Sequence, residues 1–400
     1  MNEMKKTALV FILSTLCAGA VFSIDFRLLL DNNIEAENSY FSYTSAFIPW
    51  FSWSDGQGMS AYLSGILSLK YNKYEDDISD NDGWREPVLL PELGRFSFTY
   101  RSSQRYSIEA GRVEYADALG QTACGLFDGI RFQAATPACR VTAGAFYTGL
   151  LYKETAKILM TANDAVEYVQ AVEDFSGYCA SKRLLAFGRV DIPLMEYHNL
   201  SFETFAQFDL NGNEEKLHSQ YAQAAVEIFT PQNIRISGGF VFETMENEDG
   251  DFTASFAALA SVDTDLPGSL NDNLNLTAKY SGGPMNETFA AFVPLTTVTQ
   301  GMVFSGTFSG LWMAKINYAV RLLPSLFAEA NAGYFGRTYS ETGSDGSLYG
   351  GEFWASLSWQ PLEDIRATLG GGVFVPAMGN SNSYGTDTLW KINVGLLLAF

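Results

Sequence analysis

Residues 389–400 read L-W-K-I-N-V-G-L-L-L-A-F and end on the aromatic Phe400. Trp390, Ile392, Val394, Leu396, Leu398 and Phe400 occupy every second position, with Lys391, Asn393 and Gly395 among the residues between them. Successive side chains of a strand point to opposite faces, so this spacing predicts a strand with one apolar and one polar face. A terminal strand tends to fray, and one this apolar needs a sheet to pair with.

At the other end, residues 1–23 carry Lys5 and Lys6, an apolar run over 8–16, and small residues at 18–20 and at Ser23. The run is too short for a bilayer core of roughly 30 Å, so the segment predicts a secretory signal peptide followed by one domain over 24–400. Cys17 follows Leu16 rather than the small residue a lipoprotein signal wants, which argues against a lipid anchor. Beyond residue 23 no run of ~18 apolar residues occurs, yet 47% of the chain is hydrophobic and 14% aromatic. With both ends read, residues 389–400 resemble the closing strand of bacterial outer-membrane β-barrels, the segment that the barrel assembly machinery reads. The resemblance implies the bacterial cell outer membrane as location, with outer-membrane lipid and that machinery as partners. It makes Trp390, Ile392, Val394, Leu396, Leu398 and Phe400 the assembly signal, and it leaves open whether the chain forms a homotrimer, as porins often do.

The middle of the chain repeats the alternation. Strands are predicted at 24–31, 40–53, 58–73, 92–102, 105–114, 127–136, 139–151, 179–193, 199–210, 216–229, 232–245, 251–262, 270–282, 305–322, 324–337, 347–361, 362–376 and 387–400. The connections alternate in kind. Tight ones fall near Asp55-Gly56, Ser102-Ser103, Pro137-Ala138, residues 193–199, Pro231-Gln232, 265–268, Pro324 and Pro361-Leu362. Longer or acidic ones fall at 32–39, 74–91, 115–126, 152–178, 211–215, 246–250, 283–304, 338–346 and 377–386. Short turns on one rim and longer loops on the other mark an all-β, antiparallel, up-and-down transmembrane barrel, and termini on one side require an even count, about 18 strands or else about 16. Either size leaves an aqueous lumen.

Outward and inward faces follow from phase. Phe96, Phe98 and Tyr100 alternate with Arg95, Ser97, Thr99 and Arg101; Ile234, Ile236, Phe240 and Phe242 alternate with Arg235, Ser237 and Glu243. Trp50, Trp53, Trp359 and Phe400 gather near one rim as an aromatic girdle, and Tyr40, Tyr71, Tyr74 and Trp390 near the other. The same phase turns Arg95, Arg101, Arg105, Arg131, Arg235, Lys279, Lys315, Arg321 and Arg366 toward the lumen, with Glu109, Glu203 and Glu243; these are the candidate pore-lining residues. Arg27, Arg140, Arg189 and Lys391 join them, against Asp31, Asp191, Asp209, Glu227, Glu329 and Glu352.

The net charge of −20 and pI near 4.5 argue against nucleic acid as a partner. Much of the acid clusters in loops, at Glu75, Asp76, Asp77, Asp80, Asp82, Glu173, Asp174, Glu246, Glu248 and Asp249, which leaves the lumen wall slightly basic. Guanidinium groups in a low-dielectric wall favour carboxylate and phosphate solutes; inward Arg that pair with neighbouring Glu would not.

Chemistry is not written in the sequence. The two histidines, His198 and His218, fall on opposite rims, no G-x-S-x-G, H-E-x-x-H or Walker loop occurs, and Gly370-Gly371-Gly372 lies within a strand. The reading is no enzyme, no cofactor and no metal site.

Three further features stand out. Residues 153–176 place Ile158, Leu159, Ala162, Ala165, Val166, Val169 and Val172 at helical spacing, as a segment that either narrows the lumen or caps the outer rim. Gly111-Arg112 and Asp128-Gly129-Ile130-Arg131 resemble a G-R…D-G-(hydrophobic)-R pattern of substrate-selective porins, which implies Arg112 and Arg131 near a constriction. Arg112 is out of phase with Glu109, so a bulge must intervene. Cys124 and Cys179 fall in or beside neighbouring outer loops and form a candidate disulfide, whereas Cys139 lies a barrel height away.

The function these features predict is a porin-like channel for passive diffusion of small polar solutes, anions among them. Two alternatives stand beside it: a barrel whose acidic loops act as an adhesin or ligand-binding surface, and a hydrophobic-substrate transporter, which would want an N-terminal plug before its first strand.

Overall fold

The computed structural model describes residues 23–38, 40–74, 83–84, 87–102, 105–170, 172, 175–195, 197–212, 216–247, 249–268, 271–285, 288–339, 347–377 and 387–400. The expected signal peptide before Ser23 lies outside the described residues, as do Glu75, Asp76, Asp77, Asp80, Asp82, Glu173, Asp174 and Glu248.

The alternation along the chain becomes β1 (Ser23–Glu37), β2 (Tyr40–Ser54), β3 (Met59–Tyr74), β4 (Val88–Ser102), β5 (Tyr106–Ala116), β6 (Cys124–Ala135), β7 (Arg140–Tyr147), β8 (Arg183–Met195) and β9 (His198–Asp209). Then follow β10 (Leu217–Phe229), β11 (Ile234–Asn247), β12 (Phe252–Asp265), β13 (Asn273–Ser281), β14 (Leu311–Leu323), β15 (Leu326–Arg337), β16 (Leu348–Leu362), β17 (Ile365–Pro376) and β18 (Leu389–Ala399). A two-residue ribbon, Gly83–Trp84, lengthens the end of β3. Every strand pairs antiparallel with its neighbours in sequence, and β18 returns to β1, so the sheet closes on itself. Phe400 completes the closure: its amide donates to Leu28 O at 2.8 Å and its carbonyl accepts from Leu28 N at 3.0 Å.

Apolar residues such as Phe240, Phe242 and Ile392 are exposed on the outside of this barrel, while Ser97, Glu203 and Glu243 are buried inside. The interior is not one open space. An apolar core of Val113, Phe127, Phe146, Leu151, Phe187 and Phe205, joined by Phe292 and Leu295, fills part of it, because three connections fold inward and bury their apolar residues against the inward face.

Several expectations shift. The connection expected at 32–39 is strand as far as Glu37. Asn32-Asn33 reads as a turn signal, but the Asn32 carboxamide oxygen accepts from Tyr43 Oη at 3.1 Å and Ser45 Oγ at 2.9 Å across the ladder. Beyond it, Lys391 Nζ binds Glu35 at 2.7 Å and Glu37 at 2.9 Å. β4 begins earlier than predicted and β14 later, at Leu311, because 305–310 belongs to an inward connection. Trp50 is not part of a lipid-facing girdle. It pairs in register with Arg27 on the inward face, where the guanidinium lies 5.8 Å from its ring and Tyr62 stacks on it at 5.7 Å.

The helical stretch at 153–176 is broken into α1 (Lys153–Ala156), α2 (Ala162–Val169) and α3 (Phe175–Tyr178). Lys157 adopts a left-handed φ of 47° and ends α1; Ile158 and Met160 then run inward to the core while Val166 and Val169 stay exposed. A capping box between Thr161 and Asp164 starts α2.

Candidate solute pathway and its constriction

The constriction is built where β5 and β6 leave the wall. The β4–β5 ladder runs only from Ser102–Tyr106 to Phe96–Arg112, and the β6–β7 ladder only from Ala135–Arg140 to Asp128–Tyr147. Above those pairs β5 and β6 hold only each other, as a hairpin. The departure is set by Gly111, whose φ of +121° would press any Cβ against Phe96 O, 2.2 Å away, and by its partner Gly129, where a Cβ would meet Ala145 O at 2.1 Å. One residue on, Arg112 clasps Asp128 through Nε at 2.8 Å and Nη2 at 2.9 Å. The out-of-phase Arg112 is thus explained by the glycine. It does not face the lumen as the G-R…D-G resemblance implied; it closes the root of the hairpin and donates to Leu93 O and Leu150 O.

The tip of the hairpin crosses the lumen. Asp117 Oδ1 accepts from the amides of Gln121, Thr122 and Ala123, which folds the tip into a compact turn. Glu203 of β9 receives Tyr115 Oη and Ala118 N, Gln223 of β10 donates to Thr122 Oγ1 at 3.1 Å, and Leu119 lies against Gly239 of β11.

A second connection, 148–182, is tied down by a buried ionic triad. Arg183 reaches Asp164 at 2.6 Å and Asp209 at 2.5 Å, all three side chains being almost wholly excluded from solvent. A third, 282–310, hangs from two inward carboxylates. Glu243 accepts from Val293 N at 2.9 Å, and Glu352 gathers Met302 N, Val303 N and Phe304 N at 3.0, 2.8 and 2.7 Å. Backbone bonds from Thr296 N to Thr122 O (3.1 Å) and Thr297 N to Lys157 O (2.9 Å) join the three connections to one another.

Two ammonium groups stand where these connections meet the wall. Lys279 Nζ donates to Gln121 Oε1 at 2.7 Å and Gln300 Oε1 at 2.9 Å, and Lys315 Nζ donates to Gln300 O at 3.3 Å. Among the described residues neither makes an ion pair.

The inward arginines differ in this respect. Arg95 and Arg131 share Glu109, Arg189 holds Asp191 at 2.7 Å, and Arg235 pairs with Glu227. Below the hairpin tip, Arg189, Arg235, Glu227, Asn199, Ser201 and Ala118 border a cavity of about 210 Å³. Arg101, Arg321 and Arg366 lie toward the strand ends near the tight turns, Arg321 with its guanidinium 5.4 Å from the Phe327 ring, and Arg105 lies in the β4–β5 turn itself. Glu109, Glu203 and Glu243 all point inward, but Glu203 and Glu243 are covered by the hairpin and by the third connection.

Cys124, Cys139 and Cys179 are free thiols, so the expected bridge between Cys124 and Cys179 is not formed. Cys124 starts β6 inside the barrel with its sulfur 3.6 Å from Asp117, whereas Cys179 is held opposite Tyr152 in the second connection. Both histidines serve as acceptors for backbone amides, His198 for Phe229 N and His218 for Asp209 N.

Against known proteins, no family model and no curated sequence matches. Solved structures do. Pseudomonas aeruginosa OccK5 (OpdH) superposes with a TM-score of 0.62 at 11% identity, covering 94% of this chain and 98% of its own. Acinetobacter baumannii OccAB1 gives 0.59 at 13%, with 94% and 97% covered, and the outer membrane protein OprD from Pseudomonas aeruginosa gives 0.57 at 11%, with 96% of each. The chain has the fold of these barrels. At such identities the likeness extends to the 18-strand architecture, while the residues that form the constriction are this chain's own.

Those residues were only partly legible. Gly111, Arg112, Asp128 and Gly129 were visible as a motif, and their pairing across the hairpin root was not. Glu352 and Tyr115 gave no local signal of their tethering roles.

Proposed function

We propose that the chain is a bacterial outer-membrane channel through which small polar solutes diffuse passively, with preference for anions. The observation that carries this reading is the pair Lys279 and Lys315, two cations at the junction of wall and inward connections whose ammonium groups meet amide and carbonyl oxygens and, for Lys279, the Phe308 ring, but no carboxylate among the described residues. A cation whose partners are neutral keeps its field for a passing solute, whereas Arg95, Arg131, Arg189 and Arg235 are largely balanced by carboxylates. The pore-lining role assigned to Arg101, Arg105, Arg321 and Arg366 then belongs to the mouth near the tight turns, where exposed basic groups raise the local anion concentration. The exposed alternate positions of β18 fit a segment presented to lipid and to the assembly machinery. Conductance of the refolded protein in planar bilayers under a salt gradient tests the reading; stepwise openings with anion-selective reversal support it.

A second reading, a barrel closed by its own connections that works through its outer surface, draws on the apolar core inside the barrel. Folded protein that never conducts would favour it.

A further inference from the structure

The hairpin that enters the lumen leaves the wall short. Residues 106–112, 128–135 and 140–147 are the parts of β5, β6 and β7 paired into the wall, seven, eight and eight residues. A strand needs roughly 9–11 residues to cross the apolar layer. β4 continues to Val88 with β3 on one side, and on the other side it has no strand beyond Phe96. Among the described residues, the wall between β4 and β8 above the Arg112–Asp128 pair therefore has no ladder across four strand spacings, about 19 Å.

This breach is covered by the second connection, which among the described residues meets β3 and β4 through side-chain bonds. Tyr178 Oη donates to Pro91 O at 3.1 Å, Thr155 Oγ1 to Glu92 Oε2 at 3.1 Å, Arg112 Nη2 to Leu150 O at 2.9 Å, and Glu154 pairs with Lys70. Around it, Leu89, Leu93, Phe96 and Leu150 are exposed. Immediately behind lies a small cavity of about 10 Å³ lined by Leu126, Phe127, Leu151, Ala156, Ile158 and Cys124, together with Arg112 and Glu92.

We propose that this patch is a lateral port in the barrel wall, through which single-chain amphiphiles pass between the surrounding lipid and the lumen when residues 150–155 and Tyr178 move aside. The inference rests on the barrel spanning a membrane and goes beyond diffusion along its axis. Three features select the ligand class. The port opens onto lipid, its lining is mainly apolar, and Arg112 and Glu92 beside it offer one charge of each sign. Withdrawal of Leu150 O and Thr155 Oγ1 frees an N–H of Arg112 and an oxygen of Glu92 for a polar head group. Opening draws Leu151 and Tyr152 from buried sites and breaks the Ala180 N to Leu151 O bond, but it separates no strand ladder of the wall.

The test uses the full chain in phospholipid vesicles, with Cys139→Ser and Cys179→Ser leaving Cys124 as the buried reporter and Glu92→Cys with Thr155→Cys as a lock. Labelling of Cys124 by a membrane-dissolved N-alkylmaleimide and by a charged, water-soluble thiol reagent is followed by peptide mass. Forming the lock is expected to slow the alkyl reagent by about tenfold or more, because access then requires opening of a cross-linked segment. The charged reagent, arriving through the lumen, keeps its rate, and reduction restores the alkyl rate. Equal alkyl labelling with the lock open and shut, equal slowing of both reagents, or no alkyl labelling in the unlocked protein overturns the port. Labelling by the charged reagent in those cases leaves the axial channel standing, so the two readings fail separately.

Discussion

Arg112 and Asp128 face each other across the β5–β6 hairpin at the pair where it loses both flanking strands, joined by two hydrogen bonds of 2.8 and 2.9 Å. The clasp is nearly closed to solvent on the arginine side, and all four polar contacts of the guanidinium lie at the edge of the breach in the wall. Removing one partner strands a covered charge. Asp128→Ala is expected to cost on the order of 3 kcal/mol in urea unfolding from vesicles, and pairing Asp128→Leu with Arg112→Met should recover much of the loss. Equal destabilisation by the single and double variants would show that the clasp does not act as a pair.

Gly111 and Gly125 have similar backbone angles, φ +121° and +129°, in different surroundings. Alanine at Gly125 would meet nothing within 4 Å, while at Gly111 it would meet Phe96 O at 2.2 Å. Both substitutions carry backbone strain of about 1–3 kcal/mol, and Gly111→Ala adds a steric term, so it should destabilise more. Comparing their unfolding midpoints checks the hinge.

Glu352 supports the third connection through three amide hydrogens. Glu352→Ala leaves those donors unsatisfied and loosens a segment that narrows the lumen. Single-channel current should rise by about twofold or become noisy between levels, while Glu352→Gln, which keeps one acceptor oxygen, should lie between.

Asp55, in the turn between β2 and β3, accepts from the amides of Gln57, Gly58 and Met59 at 2.7–2.9 Å. The Gln57 amide, followed by those of Met59 and Gly58, holds its carboxyl below the ordinary 3.8. A depressed folded value means that the turn gains from the charged form above the unfolded value and loses that gain as pH falls through the folded one. A carboxyl ¹³C titration should place the Asp55 midpoint below 3.8 in the folded protein and near it in Asp55-containing peptides. Equal midpoints would contradict the cap.

Much of the fold could be read because a barrel strand writes its two faces into every second residue. Ile236, Phe240 and Phe242 needed no partner to declare themselves outward, and Phe400 declared the closing strand. The interior was less legible because it is made by contacts distant in sequence. Glu352 holds amides some 50 residues earlier, Glu203 holds a turn 85 residues earlier, and nothing local marks either tie. Residues 153–160 mislead for a related reason. Their helical spacing is real, but Ile158 and Met160 gain more from burial in the lumen core than the chain gains from continuing the helix past Lys157. The inward arginines were placed by phase, and their carboxylate partners, which decide how much charge a solute meets, became visible only once neighbouring strands were in register.

Anion preference turns on Lys279 and Lys315, and the most direct measurement is the zero-current potential of single channels in a salt gradient, for the natural chain and for Lys279→Gln with Lys315→Gln. The natural chain should reverse on the anion-selective side, and the double variant should move most of the way toward neutrality or beyond it, with Arg95→Gln shifting it less because Arg95 is already paired with Glu109. A reversal potential that is cation-selective from the start, or one that the lysine variants leave unmoved while Arg95→Gln shifts it, would contradict the account.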